Sequence, residues 1–225
     1  PHVIPGGPYD PSAEAIRQGV GELQAALQQA GIPLEVRPGA ELALVPEAVE
    51  RVRSGRVPTL ADRGRHVLLE LPPDGMPPYT KQVLFELLLQ GITPILSGVE
   101  SNRELRAEPR WLYDLVRRGA LVQLDAATLI REEGATRRWV GLLLTHGLVH
   151  LVGSNAHDPH RRPPRLRQAY GRLREWVGEA RARELLEGPQ AVWEGRELEV
   201  PDPVPLRRRS GTLERVLQWL GGSRG

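Results

Sequence analysis

Residues 148–157 read Leu-Val-His-Leu-Val-Gly-Ser-Asn-Ala-His, an apolar run of strand length that ends in polar side chains. In parallel sheets, catalytic and ligand-binding residues gather at the carboxyl ends of the strands. Other strand-like segments of the chain end in the same way. Residues 67–69 run into Glu70, and residues 34–37 lead through a proline and a glycine into Glu41. This repetition predicts a functional site at one edge of a parallel sheet.

Strand-length apolar runs alternate with segments of helical periodicity, a pattern typical of an α/β fold with a parallel sheet and crossover helices. Five strands in a chain that opens directly on a motif predict a barrel that lacks its first strand or strands. The predicted strands cover residues 34–37, 66–71, 93–97, 120–125 and 148–152, and the predicted helices cover residues 11–31, 46–53, 79–90, 110–118, 136–145, 165–177 and 179–186.

Composition excludes several classes of protein. The 225 residues suit one large domain, and the absence of cysteine rules out disulfides, thiolate metal sites and cysteine nucleophiles. The formal charge is only +2 and Lys81 is the sole lysine, so the scattered arginines argue against nucleic acid as a partner. There is no apolar run of membrane-spanning length and no signal peptide, which predicts a cytoplasmic protein without a transmembrane segment.

The end of the chain differs in composition from the rest. Residues 1–200 are predicted to form the barrel, and the proline- and arginine-rich residues 201–211 to form an extended linker. Residues 212–225 are predicted to form a short amphipathic helix. Its apolar face could pack on the barrel, on a membrane surface or on a partner chain. The sequence therefore leaves open whether the protein forms a homo-oligomer.

A series of short motifs occurs in order along the chain. The motifs are Pro1-His2, Pro38-Gly39-Ala40-Glu41, Leu68-Leu69-Glu70-Leu71-Pro72, Gly91-Ile92-Thr93-Pro94-Ile95, Glu100 with Asn102-Arg103-Glu104-Leu105, Gly119-Ala120-Leu121-Val122-Gln123, and Ser154-Asn155-Ala156-His157 with Arg162-Pro163-Pro164. Together they resemble the polymerase-and-histidinol-phosphatase (PHP) superfamily, and within it the bacterial manganese-dependent protein tyrosine phosphatases of capsular and extracellular polysaccharide operons. The resemblance covers residues 1 to about 195 and implies a distorted, TIM-like (β/α)7 barrel that holds up to three divalent ions.

The resemblance assigns roles to individual residues. It implies that Arg162 and Glu100 serve catalysis, with Arg162 contacting phosphate. It implies phosphotyrosine on the tail of a bacterial tyrosine kinase of polysaccharide export as the substrate, and Mn²⁺, or Co²⁺, Zn²⁺ or Fe²⁺, as the cofactor. Such ions suit oxygen and imidazole donors, and clustered ions can activate water and neutralise phosphoryl oxygens. The implied metal ligands are His2, Glu41, Glu70, Asn155 and His157.

The chain departs from the family at positions that carry chemistry. The His-x-His pair that opens the family is absent, Gly98 and Ser101 stand where the family has histidine and arginine, and Asn155 stands where it has aspartate. Fewer than three ions are therefore expected. Three alternatives stay open: an active three-metal phosphatase, a different metal-dependent hydrolase with fewer ions, and a barrel with lost or altered catalysis that binds phosphotyrosine or a kinase as a regulatory module.

Overall fold

A computed structural model describes residues 1–130 and 134–206. Six strands form one parallel sheet in which each strand pairs with the next strand of the sequence. The predicted α/β class with a parallel sheet is therefore confirmed. The strands are β1 (His2–Val3), β2 (Glu41–Ala43), β3 (His66–Glu70), β4 (Thr93–Ser97), β5 (Leu121–Asp125) and β6 (Leu151–Gly153).

Helices lie between successive strands. The long α8 has non-helical dihedral angles at Gly178 (φ 79°), where the sequence predicts a break between two helices. The helices are α1 (Ala13–Gln29), α2 (Ala48–Arg53), α3 (Thr80–Leu89), α4 (Arg103–Ala107), α5 (Arg110–Val116), α6 (Ala126–Ile130), α7 (Gly134–Thr145) and α8 (Leu166–Glu194), with a 3₁₀ turn at Leu60–Asp62.

Strand register places one set of side chains on a common face. His2 pairs with Glu41, Glu41 with Leu68, and Leu68 with Ile95, so one layer crosses β1 to β4. Paired residues of neighbouring parallel strands point to the same side of the sheet. Leu68 and Ile95 belong to a small apolar cluster that Val192 of α8 joins. The opposite face packs against the helices in the main core, which includes Leu42, Leu69, Leu96, Val122 and Val152.

The strand predicted over residues 34–37 is wrong. Leu34 is 56% exposed, and these residues have no strand hydrogen bonding. The side chain of Gln24 on α1 instead donates to the Leu34 carbonyl at 3.1 Å and accepts from the Val36 amide at 2.9 Å. Because a helix side chain satisfies these backbone groups, the strand begins later, at Glu41.

The last described segment, residues 201–206, is neither helix nor strand. Pro203 is buried, and Val204 forms backbone contacts with His146 at the end of α7. The rest of the predicted linker, residues 207–211, and the predicted helix over residues 212–225 lie outside the described residues. Within the described ranges, no helix has the length and apolarity needed to cross a membrane.

Candidate metal centre

Three side chains converge on neighbouring strands: His2 and Glu41 are the first residues of β1 and β2, and Glu70 is the last residue of β3. His2 Nδ1 lies 3.3 Å from Glu41 Oε2 and 3.3 Å from Glu70 Oε2. One donor atom from each residue lies within 4.8 Å of the other two. The convergence follows from register, because His2 pairs with Glu41, and Glu70 lies opposite Ala43 two residues further along β2. An imidazole and two carboxylates form a donor set that suits Mn²⁺, Fe²⁺, Co²⁺ or Zn²⁺.

Strand β4 supplies a hydroxyl to this centre. Ser97 is 2% exposed, and its Oγ donates a hydrogen bond to Glu41 Oε1. Gly98 follows with φ +74°, and a Cβ at this position would lie 3.1 Å from the Leu71 carbonyl oxygen. The backbone therefore favours glycine at this strand end. Sequence reasoning missed Ser97, although it lies two residues after the inward-facing Ile95, and the two-residue repeat of strands could have identified it.

Asn155 and Asp125 form a pair at the ends of β6 and β5. Asn155 has φ 44° and donates from Nδ2 to Asp125 Oδ2 at 2.6 Å. Burial raises the pKa of the Asp125 carboxyl, and the charge of Glu41 adds to this effect, while the Asn155 hydrogen bond opposes it. Asp125 is not among the site residues that the sequence predicts, so the structure adds it to the site.

The loop after β6 positions His157 and Arg162. The His157 amide donates to the Arg162 carbonyl at 3.0 Å, which closes the loop. His157 Nδ1 contacts the Asn155 carbonyl oxygen at 2.9 Å, and its Nε2 lies 3.3 Å from Arg162 Nη1. Since a carbonyl can only accept, Nδ1 carries the proton and Nε2 is the acceptor, the tautomer common in metal-ligating histidines. The His157 and His2 ring centroids are 5.8 Å apart.

Glu100 is a buried carboxyl next to this loop. It is 5% exposed, and its Oε1 accepts from the Asp125 amide at 3.1 Å and from Thr128 Oγ1 at 3.3 Å. Its Oε2 has no hydrogen-bond partner among the described residues. Burial, with a smaller contribution from the charge of Asp125, raises the pKa of Glu100 to about 7. This carboxyl can therefore carry a proton near neutral pH.

A cavity of about 650 Å³ adjoins these groups. Four arginines line it, and no described carboxylate lies within ion-pair distance of any of them; they are Arg106, Arg161, Arg162 and Arg165. Glu100, Asp125 and Asn155 line the same cavity. A second cavity, of about 380 Å³, is lined by His2, Glu41, Asn155 and His157. Asn155 thus borders both the arginine-lined space and the metal centre.

The structure brings the predicted site residues to one edge of the sheet. His2, Glu41 and Glu70 form one donor cluster, and His157 lies beside it with Asn155 and Arg162. Glu100 is connected to this group through Asp125, whose backbone amide donates a hydrogen bond to the Glu100 carboxyl. His150 lies directly before β6, away from this group, and its Nδ1 accepts from the Val122 amide at 2.9 Å.

Comparison with known proteins gives one consistent result. A family model described as capsular polysaccharide synthesis, CpsB/CapC, matches residues 1–192. Tyrosine-protein phosphatase YwqE of Bacillus subtilis is 29% identical over 204 residues, which cover 90% of this chain and 80% of that protein. Tyrosine-protein phosphatase CpsB of Streptococcus pneumoniae is 24% identical over 196 residues, or 83% of this chain and 79% of that protein.

A solved structure also matches the fold. It comes from the crystal structures of YwqE from Bacillus subtilis and CpsB from Streptococcus pneumoniae, described as unique metal-dependent tyrosine phosphatases. The match has a TM-score of 0.83 and 28% sequence identity, and it covers 90% of this chain and 82% of that chain. This chain and the matched structure therefore share the parallel sheet and its surrounding helices.

Proposed function

The chain belongs to the CpsB/CapC family of capsular polysaccharide synthesis, and we propose that it is a metal-dependent phosphatase that hydrolyses phosphotyrosine in proteins. One observation carries the proposal. The donor atoms of His2, Glu41 and Glu70 lie within 4.8 Å of one another, beside a cavity that Arg162 lines. A metal centre next to a concentration of guanidinium groups suits a phosphate ester.

His2, Glu41 and Glu70 are the proposed ligands of a divalent cation, with Asn155 and His157 as further donors. Mn²⁺ is the proposed ion, and Co²⁺, Zn²⁺ and Fe²⁺ suit the same donors. When bound, the ion would supply Lewis-acid chemistry to a phosphoryl oxygen. Ser97 holds Glu41 in place through its hydroxyl, and the Asn155 carbonyl orients the His157 ring. Such outer contacts fix the direction of a ligand before the ion binds.

Arg162 is the proposed phosphate-binding residue. A guanidinium group matches two phosphoryl oxygens in a planar fork, and Arg161 and Arg165 line the same cavity. Glu100 is the proposed proton donor to the departing tyrosine oxygen, because it lines this cavity with one carboxyl oxygen free of hydrogen bonds. A positioned acid of this kind assists departure of a phenolate.

We propose that the substrate is the phosphorylated tail of a bacterial tyrosine kinase of polysaccharide export, met in the cytoplasm. Support comes from the family and from relatives named tyrosine-protein phosphatases. For the architecture, we propose that residues 1–200 form a PHP-type (β/α)7 barrel.

Phosphate release from a phosphotyrosine peptide tests the proposal. We expect turnover that Mn²⁺ supports and a chelator abolishes. Glu41→Gln should lose the activity because it replaces a charged ligand with a neutral one, and Arg162→Lys should lower kcat/KM about 100-fold by removing the planar fork. Glu22→Gln, an exposed change on α1, is the matched control. Absence of turnover with Mn²⁺, Co²⁺, Zn²⁺ and Fe²⁺ would refute a phosphatase.

The second candidate function is a binding module without turnover. Gly98, directly after β4, has no side chain that could bind a metal ion. Its left-handed φ of +74° also disfavours any other residue at this position, so the end of β4 provides no imidazole ligand. A phosphotyrosine peptide that binds but is not hydrolysed would identify this function. Arg162→Lys should weaken that binding as well, since the phosphate contact serves both functions.

A further inference from the structure

Asp125 is a carboxylate that forms no close ion pair in the part of the chain that the structure describes, although the charges of Arg162 and His157 act on it. It ends β5 on the face that carries the site, and within the described ranges no arginine, lysine or histidine lies within ion-pair distance of it. Its side-chain hydrogen bond comes from Asn155 Nδ2 at 2.6 Å. Partly buried carboxylates in proteins normally have a cationic or metal partner.

The Asp125–Asn155 hydrogen bond fixes how the Asn155 amide is turned. An ionised carboxylate only accepts hydrogen bonds, so the amide nitrogen of Asn155 faces Asp125. The amide oxygen therefore cannot face Asp125, and it accepts no hydrogen bond from the described residues. Asn155 also lines the cavity that His2, Glu41 and His157 border. A hard oxygen donor without a partner is thus present at the wall of the metal centre.

The surroundings supply a separate indication of a cation site. Glu100 is 5% exposed, lines the cavity with Asp125, and has a carboxyl oxygen without a partner. The charges of Glu41 and Asp125 repel each other, as do those of Asp125 and Glu100, whereas Arg162 and His157 attract Asp125. A bound divalent cation would relieve this concentration of negative charge.

We propose that Asp125 and Asn155 act together as one divided metal ligand, in which Asn155 supplies the coordinating oxygen and Asp125 supplies the negative charge. Asp125 is a positioning residue: it holds the Asn155 amide in the ligating orientation and makes its oxygen more basic. A carboxylate behind a metal ligand has this effect in known sites. The inference rests on the proposed metal centre and names a part of it that the donor cluster of His2, Glu41 and Glu70 does not include.

Mn²⁺ titration of chelator-treated protein tests this role, with free Mn²⁺ read by electron paramagnetic resonance. Asp125→Asn should weaken the Mn²⁺ affinity about 10- to 100-fold, the usual effect of losing a carboxylate behind a ligand. Asp74→Asn is the control: it removes an exposed carboxylate that pairs with Arg103 at 3.0 Å, and it should leave the affinity unchanged.

The exchanged variant Asp125→Asn/Asn155→Asp separates this role from a merely structural one. It places charge and oxygen on residue 155 and an amide on residue 125, so most of the wild-type affinity should return. The metal-free melting temperature of every variant shows whether it folds. Wild-type affinity in Asp125→Asn, or no recovery in the exchanged variant, would overturn the inference and leave the proposed phosphatase standing. Absence of Mn²⁺ binding by the wild type would overturn both.

Discussion

Replacing His150 with asparagine should remove a large part of the acid sensitivity of the fold. His150 is 3% exposed, its Nδ1 accepts from the Val122 amide at 2.9 Å, and its Nε2 has no partner among the described residues. Protonation would place a donor against the Val122 N–H and an uncompensated charge in the core. Burial, with a smaller contribution from Arg181, lowers the pKa of His150 from 6.5 to about 4.

The magnitude follows from linkage between protonation and folding. A folded-state pKa below the unfolded value means that the unfolded chain binds the proton first, so stability falls as pH drops below the unfolded pKa of 6.5. The full shift corresponds to about 3 kcal/mol, reached below about pH 4, and about 2 kcal/mol is already lost at pH 5. Above pH 7.5 the group is neutral in both states and contributes no pH dependence.

Urea unfolding of metal-free protein at pH 7.5 and pH 5 measures this effect. The difference in unfolding free energy between the two pH values should be smaller in His150→Asn than in the wild type by about 2 kcal/mol. Asparagine keeps an acceptor for the Val122 amide but does not titrate. His160→Asn, which removes an exposed histidine, is the control and should match the wild type. Equal pH dependence in His150→Asn and the wild type would refute the reasoning.

Three further substitutions test the helix packing and the buried hydrogen bonds through their effect on stability. Gly188→Ala should destabilise the fold by about 1–3 kcal/mol, because its Cβ would lie 3.0 Å from the His150 carbonyl oxygen. Gly171→Ala, on the same helix with open space around it, should stabilise by about 0.5–1 kcal/mol; the opposite ranking in thermal unfolding would contradict the helix packing. Asn102→Ala should cost about 2–4 kcal/mol in urea unfolding, since this fully buried residue caps α4 and donates to the Pro72 and Gly75 carbonyls, and a loss below 1 kcal/mol would contradict those bonds.

Several features of the site are predictable from sequence. Glu70 directly ends an apolar run, and in parallel sheets such positions meet at one edge. The same reasoning also identified Glu41, although the strand predicted before it is wrong. The strand that carries Glu41 begins at Glu41 itself and not at residue 34. The predicted strand does not form because the side chain of Gln24 binds the backbone groups that the strand would use, ten and twelve residues away. Local patterns carry no signal of such a contact.

Asp125 is a site residue that could not be recognised from the sequence. An aspartate after a strand is common in turns, so its type and position do not distinguish a turn residue from a site residue. Its role depends on the pairing of Asp125 with Gly153, which brings the ends of β5 and β6 together and lets Asn155 reach it. Strand order and register are tertiary properties, and they are needed before two distant polar residues can be recognised as a pair.

The metal content of the protein tests the account most directly. The 225-residue chain should be purified without chelator, loaded with Mn²⁺, freed of excess ion and measured by elemental analysis beside Glu41→Gln. We expect at least about one divalent ion per wild-type chain and a clear loss in the variant, since a donor atom of Glu41 lies within 4.8 Å of donor atoms of both His2 and Glu70. A wild-type protein that retains no ion, or a variant that retains as much as the wild type, would contradict it.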